Sequence, residues 1–129
     1  MIKAKSLRIG NILQDPEGNL VEVIRLHENG TIEVHSSIHQ FIDFNESDEP
    51  FFKPTALSEE ILLKCRLQKE IYTPLYNLPY EYYHIYVNDK NEFIFRGLGA
   101  SFVEIKHLHQ LQNLYFALTG QELNTSGLI

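Results

Sequence analysis

The sequence predicts an α+β protein: an N-terminal small SH3-like β-barrel unit followed by a helix, an antiparallel β meander and a C-terminal helix. Three observations predict it. Residues 7–55 place β-branched and alternating segments between tight-turn signals. Ser58 opens a short apolar pattern with Glu59 and Glu60 in its first turn. Leu108, Leu111, Tyr115 and Leu118 recur at three- and four-residue steps, Leu114 widens the stripe, and Gly120 follows Thr119 as a C′ residue. The expected units are 1–55, the SH3-like β unit, and 56–129, an α-β-β-α unit packed against it, or one continuous domain.

The elements follow in order. Leu7-Arg8-Ile9 enters a strand, Gly10-Asn11 interrupts it, and Ile12-Leu13 resumes. Asp15-Pro16-Glu17-Gly18-Asn19 is a turn, because Pro presets its torsion and Gly accepts positive φ. Leu20 to Leu26 is rich in β-branched residues, and Glu28-Asn29-Gly30 is the chain's strongest short hairpin signal. Thr31 to His35 alternates, with Ile32 and Val34 inward and Thr31, Glu33 and His35 outward. Asn45 to Pro50 is an acidic, turn-forming loop.

Ser58 caps the first helix, which runs to about Leu67; Leu57 and Leu62 have the spacing of a hydrophobic staple, and Ile61, Leu62 and Cys65, with Leu67 as a further candidate, form its buried face. Pro74 and Pro79 make Ile71 to Tyr80 an irregular or edge connection. A second hairpin joins Tyr82–Val87 to Glu92–Arg96 through Asn88-Asp89-Lys90-Asn91, Gly97 and Gly99 break its second strand, and Ala100 to Glu104 forms a third strand. After Gly120 the tail, Asn124 to Gly127, reads as frayed.

Composition bounds function more than it identifies it. The chain has 129 residues, 43% hydrophobic and 22% charged, as in ordinary soluble domains. No apolar run reaches the roughly 18 residues of a membrane span, the start lacks a secretory apolar core, and Cys65 is the single cysteine, so a cytoplasmic protein without a disulfide framework is expected. The formal charge is −6, with five basic and nine acidic residues in 1–55 and six and eight in 56–129. Nucleic-acid binders display a basic face, and here only Lys3, Lys5 and Arg8 cluster.

Spacing argues against most chemistry. His35 and His39 lie on a β pattern, where four residues span about 13 Å, too far for one ion. His107 and His109 straddle a helix start and should diverge. Cys65 sits on the apolar side of a capped helix, and Gly97-Leu98-Gly99-Ala100-Ser101 lacks the Lys-Ser/Thr ending of a phosphate loop. Glu59 and Glu60 are explained by the helix dipole, and Asp43, Glu46, Asp48 and Glu49 by solvation. No catalytic, metal or cofactor-binding residue is assigned, and the protein is not expected to be an enzyme. The candidate contact surfaces are the Tyr82, His84 and Tyr86 strand face and the amide-rich side of the last helix, His109, Gln110, Gln112 and Asn113.

Leu7 to Asn11, Leu57 to Lys64 and above all His109 to Gly120 resemble a group of small uncharacterised proteins of gut anaerobic bacteria and of their prophages and mobile elements. The resemblance spans most of the chain but not Glu70 to Tyr82. Its members often carry Gly and Phe near Arg66-Leu67, where this sequence departs, at the expected helix C-cap. The group has no established activity, so the resemblance implies a mobile-element context and no catalytic residue. The expected function is a non-enzymatic protein-binding adaptor of a phage or mobile element, with an unidentified protein partner or self-association. The alternatives are a nucleic-acid accessory module using Lys3, Lys5 and Arg8, and a structural homo-oligomer.

Overall fold

The computed structural model describes residues 6–28, 30–36, 40–45, 52–79, 82–97 and 102–128, and among them the chain forms two antiparallel five-stranded sheets and two helices. The fold is α+β. One compact unit ends at Thr55 and the other runs from Ala56 to Leu128.

In the first unit β1 (Ile12–Gln14), β2 (Leu20–Leu26), β3 (Thr31–His35), β4 (Gln40–Asn45) and β5 (Lys53–Pro54) are ordered β4-β3-β2-β1-β5. Asp15 builds the first turn: its carboxylate accepts the Glu17 and Asn19 backbone N–H groups at 3.0 and 2.8 Å and the Asn19 amide at 3.0 Å. These three donors explain how a carboxylate is tolerated at 1% exposure. Leu7, Leu13, Val21, Val23, Ile32, Val34 and Phe52 form the core, with Ile32 and Val34 inward as their alternation requires.

Two expectations change here. Leu7 to Ile9 is not a strand: Asn11 Oδ1 accepts the Arg8 N–H at 2.7 Å and Gly10 takes φ +96°, which turns the chain and leaves Ile9 60% exposed. The sheet is also not closed into a barrel among the described residues, because two-residue β5 pairs with β1 alone and β4 remains an edge. The acidic-loop residues Glu46, Asp48 and Glu49, together with Asn29, His39 and the Leu98 to Ser101 stretch, lie outside the described residues.

The second unit begins with α1 (Glu59–Lys64). Ser58 Oγ accepts the Ile61 N–H at 3.2 Å, and the staple residues Leu57 and Leu62 are both buried. The helix ends sooner than expected, at Lys64, in a Schellman turn: Arg66 N–H donates to Leu63 and Leu67 N–H to Leu62. Leu62 and Leu67 are buried, which is the apolar pairing this motif brings together. Arg66, at C′, has φ +70°, a conformation glycine adopts without a Cβ penalty. Arg66→Gly should therefore stabilise the protein by about 0.5–1 kcal/mol in urea unfolding, and a lower midpoint would refute this reading.

β6 (Gln68–Lys69), β7 (Leu75–Asn77), β8 (His84–Val87), β9 (Phe93–Arg96) and β10 (Phe102–Ile105) follow, ordered β10-β9-β8-β7-β6. Part of the stretch expected to be an irregular or edge connection is thus β7, an interior strand between β8 and β6. Neither proline is asked for an N–H: Pro74, just before the strand, only accepts the Val87 N–H on its carbonyl at 3.0 Å, and Pro79 follows the strand. Alternation puts Tyr76, Ile85, Phe95 and Ile105 on one, buried face. On that side the Tyr83 ring covers Gly97, where a Cβ would come within 2.7 Å of it.

α2 (Leu108–Thr119) ends as the sequence requires, with Gly120 at φ +73° and its N–H donating to Phe116 at 2.8 Å. Its buried face is Leu108, His109, Leu111, Gln112 and Tyr115, whereas Leu118, expected inside, is 47% exposed. The leaders of the two helices are joined, since Leu57 N–H donates to the Lys106 carbonyl at 3.0 Å and Ala56 bridges His107. The tail is not frayed. Leu123 is buried, Asn124 Oδ1 accepts from Ser126 N–H and Oγ, and Gly127 lies against the Lys64 carbonyl.

Candidate functional site

The second face of the β6–β10 sheet collects the side chains best suited to contact another molecule. Its register aligns Phe102, Arg96, His84, Asn77 and Gln68 in one row across all five strands, with Glu104, Ile94, Tyr86 and Leu75 in the next. The Arg96 guanidinium carbon lies 5.0 Å from the Phe102 ring centroid and 5.5 Å from that of Tyr86. Cation–π attraction to both rings holds this side chain against the sheet, and Phe102 itself is 58% exposed.

At the far end of the row stands Glu70. Its carboxylate accepts the Thr73 hydroxyl at 2.5 Å and the Asn77 amide at 3.3 Å, which holds it below the usual carboxylate range. Its N–H donates to the Leu75 carbonyl at 2.9 Å. Three bonds from one residue therefore close the β6–β7 loop. At its tip Ile71 is 87% exposed and Tyr72 95%. His84 is lowered in pKa first by burial and then by Arg96, with Glu70 opposing, so its ring is neutral near pH 7.

A separate cleft of about 580 Å³ opens in the same unit, with Leu57, Val87 and Phe93 among its apolar walls and Glu59, Lys69 and Tyr76 on its polar side. Lys69 Nζ donates to Glu59 at 2.8 Å and sits 5.8 Å from the Tyr76 ring centroid. The Lys69 hydrogen bond lowers Glu59, the Glu59 bond raises Lys69, and burial raises Tyr76. All three shifts run away from pH 7, so this wall offers an ion pair and a neutral phenol and no proton poised near pH 7. Burial likewise pushes the Cys65 thiol up to about 11, leaving it a packed thiol and not a thiolate.

The expected contact residues divide. His84 and Tyr86 share the sheet face, half-buried, and Tyr82, just before β8, is 50% exposed. The expected amide surface of α2 is corrected: His109 and Gln112 are buried at 7% and 2% exposure, because the helix turns them inward beside Leu108 and Leu111. Gln110 is exposed but its Oε1 accepts the Lys106 and His107 N–H groups at 2.9 and 3.0 Å, capping the helix. Asn113 is half-buried. His107 and His109 do not diverge; their rings stack 5.8 Å apart at 16°. Lys3 and Lys5 lie outside the described residues, and Arg8 is half-buried at the first turn.

Sequence reasoning missed Ile71, Tyr72, Arg96 and Phe102. An apolar-aromatic pair before Thr73-Pro74 was the available signal for the tip. The Arg96 pairing needed the cross-strand register, which no local pattern carries. No protein-family model, curated protein or solved structure matches the chain.

Proposed function

We propose that this protein is a non-enzymatic protein-binding adaptor, of a kind a phage or mobile element would use, that docks through the open face of its second sheet and the Ile71–Tyr72 tip. The observation that carries the reading is the tip. An isoleucine and a tyrosine at 87% and 95% exposure on a loop closed by Glu70 are a pre-organised apolar knob. Tyrosine gives much contact area for little side-chain entropy, and rigid aromatic anchors carry a disproportionate share of interface energy. The net charge of −6 favours a protein partner over a polyanion. In the first unit, the return of β5 beside β1 in the order β4-β3-β2-β1-β5 supports an SH3-like reading of that sheet.

The test is affinity capture of the tagged full chain from host lysate, with and without nuclease, beside the double variant I71S/Y72S. A defined protein that survives nuclease and is lost from the variant is the expected result. The variant's unfolding midpoint should stay within about 0.5 kcal/mol of the parent, since neither side chain is buried. Capture that persists unchanged in the variant would overturn the docking role of the tip. Bound nucleic acid, with proteins released on digestion, would move attention to Lys3, Lys5 and Arg8. Light scattering that shows a concentration-dependent dimer abolished by I71S/Y72S would make the partner a second copy.

A further inference from the structure

We infer that Arg96, held between Tyr86 and Phe102, is a recognition residue for a carboxylate side chain on an extended segment of the partner protein; this rests on the protein-binding reading of the same face. The guanidinium carbon lies over both rings, 5.5 Å from the Tyr86 centroid and 5.0 Å from that of Phe102. A cation–π contact spends none of the guanidinium N–H donors, and among the described residues none of them is hydrogen-bonded, so the planar fork is available to a ligand. Among the described residues no carboxylate pairs with Arg96: Glu70 is committed to Thr73 and Asn77, Glu104 on the neighbouring strand lies against Glu92, and Glu33, Glu59 and Glu60 are engaged elsewhere. The only titratable side chain directly opposite Arg96 is His84, which is disfavoured as a cation first by burial and then by that same guanidinium.

The site is therefore an uncompensated, pre-oriented cation in an acidic protein, flanked by Phe102, Tyr86 and Ile94 on the same face. A fork of parallel donors matches a carboxylate bidentately. The flanking rings and aliphatic side chain suit apolar neighbours spaced two residues from the acid, as in a strand laid on the sheet. Phosphate would satisfy the fork equally, but a run of phosphates would meet Glu70 and Glu104 on the same face and the −6 net charge. The charge pattern selects the peptide.

The test titrates the isotope-labelled full chain with the peptide acetyl-Val-Thr-Asp-Thr-Val-amide, following the Arg96 Nε–Hε resonance by NMR. The controls are the same peptide with Asn in place of Asp, and an oligo-thymidylate. Saturable shifts centred on Arg96, with the Asn peptide weaker by about tenfold, are expected, since a charge-assisted pair exceeds a neutral one by roughly that factor. R96K should lose most of the Asp preference, because a lysine offers a point charge and no fork. Equal binding of the two peptides, or no Arg96 response to either, overturns the inference. Tighter response to oligo-thymidylate overturns it in favour of nucleic acid. The two readings fail separately: capture lost in I71S/Y72S but intact in R96Q leaves the adaptor standing without its carboxylate site.

Discussion

Gly127→Ala is expected to lower the stability of the second unit by about 1–3 kcal/mol, the range for forcing one methyl into a closed contact. A Cβ at this position would stand 2.6 Å from the Lys64 carbonyl oxygen, and the next atoms it meets are also Lys64 backbone. A flexible side chain could swing aside; this carbonyl cannot, because Lys64 is the last residue of α1 and leads directly into the Schellman turn at Cys65 and Arg66. The alternative is for the tail to lift. That frees Leu123, buried to 4% exposure, and breaks the local bonds from Ser126 to Asn124 and from Leu128 to Thr125. Exposing one leucine costs about 1.5–3 kcal/mol, so both routes give losses of similar size. Urea unfolding measures the total, and limited carboxypeptidase digestion distinguishes the routes, since only an undocked tail is trimmed. An unchanged midpoint and unchanged digestion would show that the tail does not rest on α1.

The tail illustrates what the sequence carried and what it did not. Local chemistry was legible: the Asp15-to-Asn19 turn, the inward Ile32 and Val34, the Ser58 cap with its Leu57–Leu62 staple, and the Gly120 stop are each fixed by neighbours within five residues. Asn124-Thr125-Ser126-Gly127 has the same polar composition whether frayed or docked, and only the distant Lys64 carbonyl decides. β6 and β7 are two and three residues long, too short to show a period, so Pro74 and Pro79 dominated the reading. The same gap hid the Ile71–Tyr72 tip. For the sheet face, alternation alone placed His84 with Tyr86, while Arg96 and Phe102 joined them only through pairing across strands. On α2 the sequence marked His109 and Gln112 as polar and hence outward; tertiary burial overrode that preference.

Burial of His109 has a consequence for pH. The residue is 7% exposed, its Nδ1 has no hydrogen-bond partner among the described residues, and its ring stacks on His107 at the N-terminal turn of α2. Burial first, and then the neighbouring His107, lower its pKa to about 4. The positive end of the helix dipole acts in the same direction. An unfolded histidine titrates near 6.5. As pH falls through that value the unfolded chain takes up a proton that the folded chain refuses, so stability falls from about pH 6.5 until the folded ring itself protonates near 4. The unscreened shift corresponds to about 3 kcal/mol, and solvent screening reduces it to on the order of 2. His84 and His107, both lowered mainly by burial, add smaller losses of the same sign. The bonded carboxylates Glu33, Glu59, Glu70 and Glu92 are lowered from 4.5, so their losses come below that value and leave pH 4.5–6.5 to the histidines. His109→Leu removes both the proton site and the unpartnered nitrogen while filling a similar volume. Urea midpoints across pH 4.5 to 7 should fall steeply for the parent and only weakly for this variant. Parallel curves would place the acid sensitivity elsewhere and leave His109 as a packed ring without a role in it.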